Sequence, residues 1–178
     1  MIIVDEIVSA DGFAARPDGE IDFFLDRRDV VETQSFPERM EGVSDVLLGA
    51  RTYREMADYW PTQPASAAIN RLDKHVVSAS LTAAPWGDQA PARVHADGVA
   101  AAVRSVRATA RGDVIVWGSL AVARALFAQR LVNELWLRVV PVTLGAGVAP
   151  FPSADVELEL LDCATRPTGF FAVRYRAR

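Results

Sequence analysis

The stretch from Asp113 to Leu126, DVIVWGSLAVARAL, changes from one kind of element to another within a few residues. Val114-Ile115-Val116-Trp117 is apolar without polar alternation and rich in β-branched residues, the pattern of a strand buried on both faces. Apolar side chains then recur at Leu120, Ala123, Leu126 and Phe127, the stripe of an amphipathic helix. Gly118 and Ser119 stand between. Gly118 lacks the Cβ that would hold a ligand off the backbone, and Ser119 suits an N-cap. A strand that feeds a helix through such a turn leaves N–H groups unpaired at the helix start. With the helix dipole they favour an anion, most often a phosphate. An ordinary tight turn has the same composition, so this segment alone leaves both readings open.

The same junction occurs earlier. Val46-Leu47-Leu48-Gly49 reads as a buried strand, followed at once by a helix beginning Ala50-Arg51-Thr52-Tyr53 and ended by Tyr59-Trp60-Pro61. Further strands are expected at residues 2–8, with Asp5 and Glu6 interrupting the run, at His75–Ser78, around Arg93-Val94 and at Leu135–Val142. Helices are expected at Arg27–Glu41, Ala65–Leu72 and Val99–Ala110. Val156–Ala164 and Phe170–Arg176 alternate on either side of Pro167-Thr168-Gly169, as an antiparallel hairpin does. βα units closed by a hairpin make an α/β sheet, mostly parallel with an antiparallel edge. The carboxyl ends of the parallel strands then share one rim, carrying Gly49-Ala50-Arg51-Thr52, Ser78-Ala79-Ser80 and Gly118-Ser119-Leu120.

Composition narrows the class. The 178 residues suit one domain, residues 1–178, and 51% hydrophobic content suffices for a core. A net charge of -4 argues against a nucleic-acid partner or an anionic membrane. The opening MIIVDEIVS is acidic where a leader would be basic, and no apolar run reaches spanning length, so a cytoplasmic protein is expected. Cys163 is read as a small core residue. His75 and His95, the two histidines, are isolated in sequence, are read as surface residues and give no metal-ligand spacing. No GxSxG elbow is present.

The motifs occur in the order of a known family. Ser9-Ala10-Asp11-Gly12, Leu47-Leu48-Gly49-Ala50-Arg51-Thr52-Tyr53, Tyr59-Trp60-Pro61, Gly118-Ser119, Leu131-Val132-Asn133-Glu134-Leu135 and Pro141-Val142-Thr143-Leu144-Gly145-Ala146-Gly147, then Phe151, resemble the dihydrofolate-reductase-like superfamily. The closest resemblance is to the reductase domain of bacterial bifunctional riboflavin-biosynthesis deaminase–reductases and its stand-alone relatives. The resemblance implies a three-layer α/β/α fold, a reduced nicotinamide dinucleotide, usually NADPH, and often a homodimer. It implies that Thr52, Gly118, Ser119 and Leu120 meet the pyrophosphate and that Ser78 lies beside the adenosine ribose; Gly49 and Arg51 are also read as cofactor-binding, Arg51 as the remaining cation for the adenosine phosphate. Val8, Ser9 and Ala10 would line the nicotinamide end, with Asp11 shaping the loop over it. Asp11 and Asp22 are the candidate catalytic acids, and Tyr53 and Trp60 would wall the substrate cleft. Glu32 and Glu38 are the other acids available on the first helix.

Two positions depart from that family. Ala50 and Ala79 stand where arginines are frequent, which weakens the preference for NADPH and admits NADH. No zinc-binding His/Cys signature accompanies the reductase motifs, so a stand-alone reductase is expected. The expected reaction is hydride transfer to a small heterocyclic or ribosylaminopyrimidine-type substrate. The alternative is a non-catalytic nucleotide-binding or dimer-scaffold protein that kept the fold.

Overall fold

A computed structural model describes residues 1–25, 40–63, 67–151, 155–165, 167 and 169–178. In chain order its elements are β1 (Ile2–Ser9), α1 (Asp22–Leu25), β2 (Val43–Gly49), α2 (Ala50–Tyr59), a 3-10 turn (Trp60–Thr62) and α3 (Ala67–Asn70). They continue with β3 (Asp73–Val77), β4 (Arg93–His95), α4 (Val99–Thr109), β5 (Asp113–Trp117), α5 (Leu120–Ala128), β6 (Glu134–Val140), β7 (Leu158–Thr165) and β8 (Phe171–Ala177). The strands form one sheet in the order β4-β3-β2-β5-β1-β6-β8-β7. All pairings from β4 across to β6 are parallel, and β8 pairs antiparallel with both β6 and β7. The expected α/β sheet, mostly parallel with an antiparallel C-terminal hairpin, is therefore the one observed. Most of the helix expected at 27–41, including Glu32 and Glu38, lies outside the described residues.

Burial explains the sequence pattern. Val114 and Val116 of β5 enter the core on one face with Val122, Ala123, Leu126 and Phe127 of α5 and Ala102, Val103 and Val106 of α4. Ile115 and Trp117 enter the opposite core with Tyr53 of α2, Ile69 and Trp86. Each fully buried Leu or Phe of this kind contributes roughly 1.5–3 kcal/mol, so α5 is held mainly by its packed face. The helices that follow β2 and β5 thus cover opposite faces of the sheet, although the two strands are neighbours. Ligands of open α/β sheets sit at such a reversal, beyond the carboxyl ends of the strands.

Four expectations are corrected. Asp5 and Glu6 do not interrupt β1, which runs unbroken with both side chains only 4% exposed. Cys163 is exposed because β7 is the edge strand of the sheet. His75 is not a surface residue. It is buried in mid-β3, where its Nε2 meets Asp45 Oδ1 at 2.8 Å and its Nδ1 meets His95 Nε2 at 3.0 Å. Sequence spacing could not show this, because the chain joins three adjacent strands whose order is a tertiary fact. Finally, the apolar alternation of Leu135–Val142 invites reading that strand as a dimer edge, but β6 lies inside the sheet between β1 and β8.

Candidate functional site

β1 and β5 pair from Ile2↔Val114 to Asp5↔Trp117, and there β5 ends. β1 continues to Ser9, paired only with β6. A gap therefore opens between β1 and the Gly118–Ser119 turn. The ladder shows which groups face it. The Met1 carbonyl accepts from Val114 N–H on the β5 side, and the Ile2 carbonyl accepts from Asn133 N–H on the β6 side. Backbone groups alternate along a strand, so odd-numbered residues face β5, and Ile7 directs its N–H and C=O toward the gap. A donor beside an acceptor matches a primary carboxamide.

The far side of the gap is formed by two helix starts fastened together. Gly49 N–H donates to Ser119 Oγ at 2.7 Å, and Ser119 N–H donates to Thr52 Oγ1 at 3.1 Å. Neither α2 nor α5 has a side-chain N-cap. Ser119 occupies the N-cap position of α5, but in a left-handed conformation (φ 55), so its hydroxyl serves the neighbouring junction instead of its own helix. The first amides of both helices have no acceptor within the helix, by their position, and two dipole ends converge on one spot. Gly118, at φ 49, completes the turn, and a Cβ there would stand 3.5 Å from Thr52 Cγ2. Gly118, Ser119, Leu120, Gly49 and Thr52 are thus brought together, and the Ser119 and Thr52 polar groups partly serve each other.

Other expected residues lie at the rim with their polar groups engaged. Ser9 N–H donates to the Phe13 carbonyl, its hydroxyl donates to Asp11 Oδ1 at 2.6 Å, and Ala10 N–H donates to the Val142 carbonyl. Val8 is 3% exposed and its backbone faces β6. Ser78 Oγ accepts from Ser80 N–H and Leu81 N–H, closing a turn. Arg51, on the exposed first turn of α2, pairs with Glu55 at 2.9 Å and donates to the Gly19 carbonyl at 3.2 Å. It is therefore tied toward the loop after β1.

The proposed acids have other work. Asp11 accepts from the Ser9 hydroxyl and from the N–H groups of Leu144 and Gly145, joining the loop after β1 to the loop after β6. The Ser9 hydroxyl, then those amides, hold its carboxyl at about 2. It is an ionised acceptor at neutral pH and not a proton donor. Asp22 is exposed and paired with Arg16 at 2.6 Å, which holds its carboxyl below the usual range. Tyr53 is 5% exposed, packed in the core, and its hydroxyl donates to the Pro85 carbonyl at 2.6 Å. Its ring is a core side chain that also lines a surface pocket with Arg54, Ala57, Asp58, Pro85 and Gly87. Trp60 packs partly buried against the same core and edge-on to Tyr59.

Charged residues that sequence reading passed over lie at the gap itself. On the α2 face, Asp5 Oδ2 accepts from Arg138 Nη2 at 2.9 Å and from Trp117 Nε1 at 3.1 Å, all three being buried. On the other face, Glu6 occupies the first β1 position beyond the last β1–β5 pair, and its Oε1 has no hydrogen-bond partner among the described residues. Burial, followed by the charge of Asp5 and opposed by that of Arg138, pushes the Glu6 carboxyl well above the usual range. Consecutive acids inside an apolar strand were the only sequence signal for this pair. No cluster of His, Cys, Asp and Glu among the described residues could hold a metal ion.

A mostly parallel sheet with paired, uncapped helix starts beside a gap between its central strands defines an α/β protein whose candidate site lies at the carboxyl ends of those strands. The chain belongs to the RibD C-terminal domain family, which matches residues 1–171. Solved structures share the fold. A riboflavin biosynthesis protein of Shewanella is 16% identical, with a TM-score of 0.78 over 99% of this chain and 98% of that one. The Thermotoga maritima diaminohydroxyphosphoribosylaminopyrimidine deaminase/5-amino-6-(5-phosphoribosylamino)uracil reductase is 15% identical, with a TM-score of 0.73. That match covers 100% of this chain but only 56% of that longer protein. The Enterococcus faecalis dihydrofolate reductase complexed with NADP(H) is 13% identical, with a TM-score of 0.62 over 100% of this chain and 96% of that one. No curated protein matches the chain in sequence. No described helix is long and apolar enough to cross a membrane.

Proposed function

We propose that the protein is a reductase that takes a hydride from a reduced nicotinamide dinucleotide and gives it to a small heterocycle of the ribosylaminopyrimidine type. The observation that carries this reading is the clasp of two uncapped helix starts, Gly49–Thr52 and Gly118–Leu120, beside the β1/β5 gap. Helix N-termini without side-chain caps suit a pyrophosphate, and the absence of a Cβ at Gly118 lets it approach. The backbone of Ile7 suits the carboxamide. Membership of the RibD C-terminal domain family and the fold shared with the Thermotoga uracil reductase support the same class.

When bound, the dinucleotide supplies the hydride. The chain's own residues orient and shield it. Leu120 and the α5 amides would hold the phosphates and the Ile7 backbone the ring end, while Asp11 anchors the Leu144–Gly145 loop. The cofactor is NADPH or NADH with little discrimination, because Ala50 and Ala79 offer no guanidinium and Arg51 is engaged by Glu55 and Gly19. The protein works in the cytoplasm as a homodimer.

The test is turnover of 5-amino-6-(5-phosphoribosylamino)uracil or its dephosphorylated form, followed as loss of NADPH absorbance. Substrate-dependent oxidation supports the reading. Dinucleotide binding without oxidation by any such pyrimidine leaves a nucleotide-binding scaffold and ends the reductase reading for this substrate class.

A further inference from the structure

Glu6 is a buried acid on the central strand of the sheet. It is 4% exposed, stands on the central strand at the point where β5 stops, and its Oε1 is sealed from solvent without a hydrogen-bond partner among the described residues. A buried polar group left in that state is costly. Extending the register past Asp5↔Trp117 places Glu6 across from Gly118, the turn through which α5 begins. Its side chain shares the face of Ile2 and Val4, the face covered by α5.

The charges around it are few. Asp5 lies on the same strand with its carboxylate on the opposite face, bound to Arg138 and Trp117. Arg124, the charged residue of α5, is turned to the carbonyls of Leu120 and Ala149. On β5, Asp113 is paired with the N-terminal amine at the other end of the strand. Among the described residues no cation is hydrogen-bonded to Glu6, and burial, then the charge of Asp5, pushes its carboxyl well above the usual range against the charge of Arg138. An ionised carboxylate here would repel a pyrophosphate held at Gly118–Leu120, whereas a neutral acid offers that ligand a donor.

We propose that Glu6 takes part in cofactor binding as a neutral acid, donating its hydroxyl hydrogen to an oxygen of the dinucleotide where it passes the gap between β1 and β5. The inference rests on the dinucleotide reading above. Raising the pH then removes the donor and places a negative charge beside the phosphates, so affinity falls in alkali.

The experiment is calorimetric titration of the wild type, E6Q and E6L with NADPH and with NADH from neutral to alkaline pH, together with thermal unfolding of each apo protein. Loss of one hydrogen bond predicts a roughly three- to tenfold weaker Kd for E6L. Its melting temperature rises, because an orphaned buried acid has been replaced by an apolar side chain. E6Q, whose amide also donates, keeps near wild-type affinity at neutral pH but loses the alkaline decline. A residue that only supported the fold would move affinity and stability in the same direction. Equal affinities in all three proteins with the same pH profile overturn the proposal while leaving the reductase reading intact. A wild type that binds neither dinucleotide overturns both.

Discussion

At the scale of single residues, the chain keeps its charges inside by pairing or neutralising them, and each solution has a measurable consequence. Replacing Arg138 by Met leaves Asp5 buried without its guanidinium and should cost about 3–5 kcal/mol, whereas D5L/R138M together should recover much of that loss. Urea unfolding of the two singles and the double checks this. Glu6 acts in the opposite sense. Its folded carboxyl is raised, so its favourable contribution is complete below the unfolded value of about 4.3 and is lost as pH rises toward the folded value. E6Q should therefore gain stability over wild type as pH climbs from acid to neutral, and little below that window. Asp11 is depressed to about 2, so its contribution is present above the unfolded carboxylate value and is lost as the medium falls toward pH 2. D11N should lower the melting temperature at neutral pH and lose that deficit in strong acid. Neither Asp5 nor Glu6 was legible as buried, because adjacent acids ordinarily mark an exposed break. The partners of Asp5, Trp117 and Arg138, lie on other strands. His75 was missed for the same reason, since Asp45 and His95 come from its two neighbouring strands.

At the scale of elements, the clasp between the two βα junctions is the feature to break. S119A removes the acceptor of Gly49 N–H and should cost roughly 1–3 kcal/mol, a fall of about 2–12 °C in melting temperature. S119G removes the same hydroxyl but relieves the left-handed strain, so it should be the milder change. Gly147 tests the loop after β6. A Cβ there would stand 2.4 Å from the Ala15 carbonyl oxygen and 2.8 Å from Phe13 Cβ, so G147A should separate the two loops that Asp11 joins. Weaker dinucleotide binding with the sheet's far-ultraviolet dichroism intact would be the signature. The junctions themselves were readable from sequence, because a buried strand, a small-residue turn and an amphipathic stripe are all local patterns. Their mutual hydrogen bonds were not readable. The Ser119 hydroxyl was assigned to its own helix, and only the adjacency of β2 and β5 sends it elsewhere.

At the scale of the whole molecule, the mostly parallel sheet with its antiparallel hairpin was legible in the sequence, while the order of the strands, and with it the sheet edges, was not. The edge at the C-terminal end is β7, where Leu158 and Leu160 are 41% and 58% exposed and Cys163 is open. If the protein is a homodimer as proposed, this edge is the available apolar surface at that end. L160K should then shift sedimentation velocity toward the monomer without loss of secondary structure. Sedimentation unchanged by L160K would place the interface elsewhere.

The central claim is that the gap between β1 and the Gly118 turn receives a nicotinamide dinucleotide. Hydrogen exchange of the backbone amides, measured with and without saturating NADPH, reads that gap directly. Protection should appear at Ile7, at Thr52 and from Gly118 to Ala121, with little change along β7 and β8. No protection at millimolar NADPH, or protection confined to another edge of the sheet, would contradict the claim.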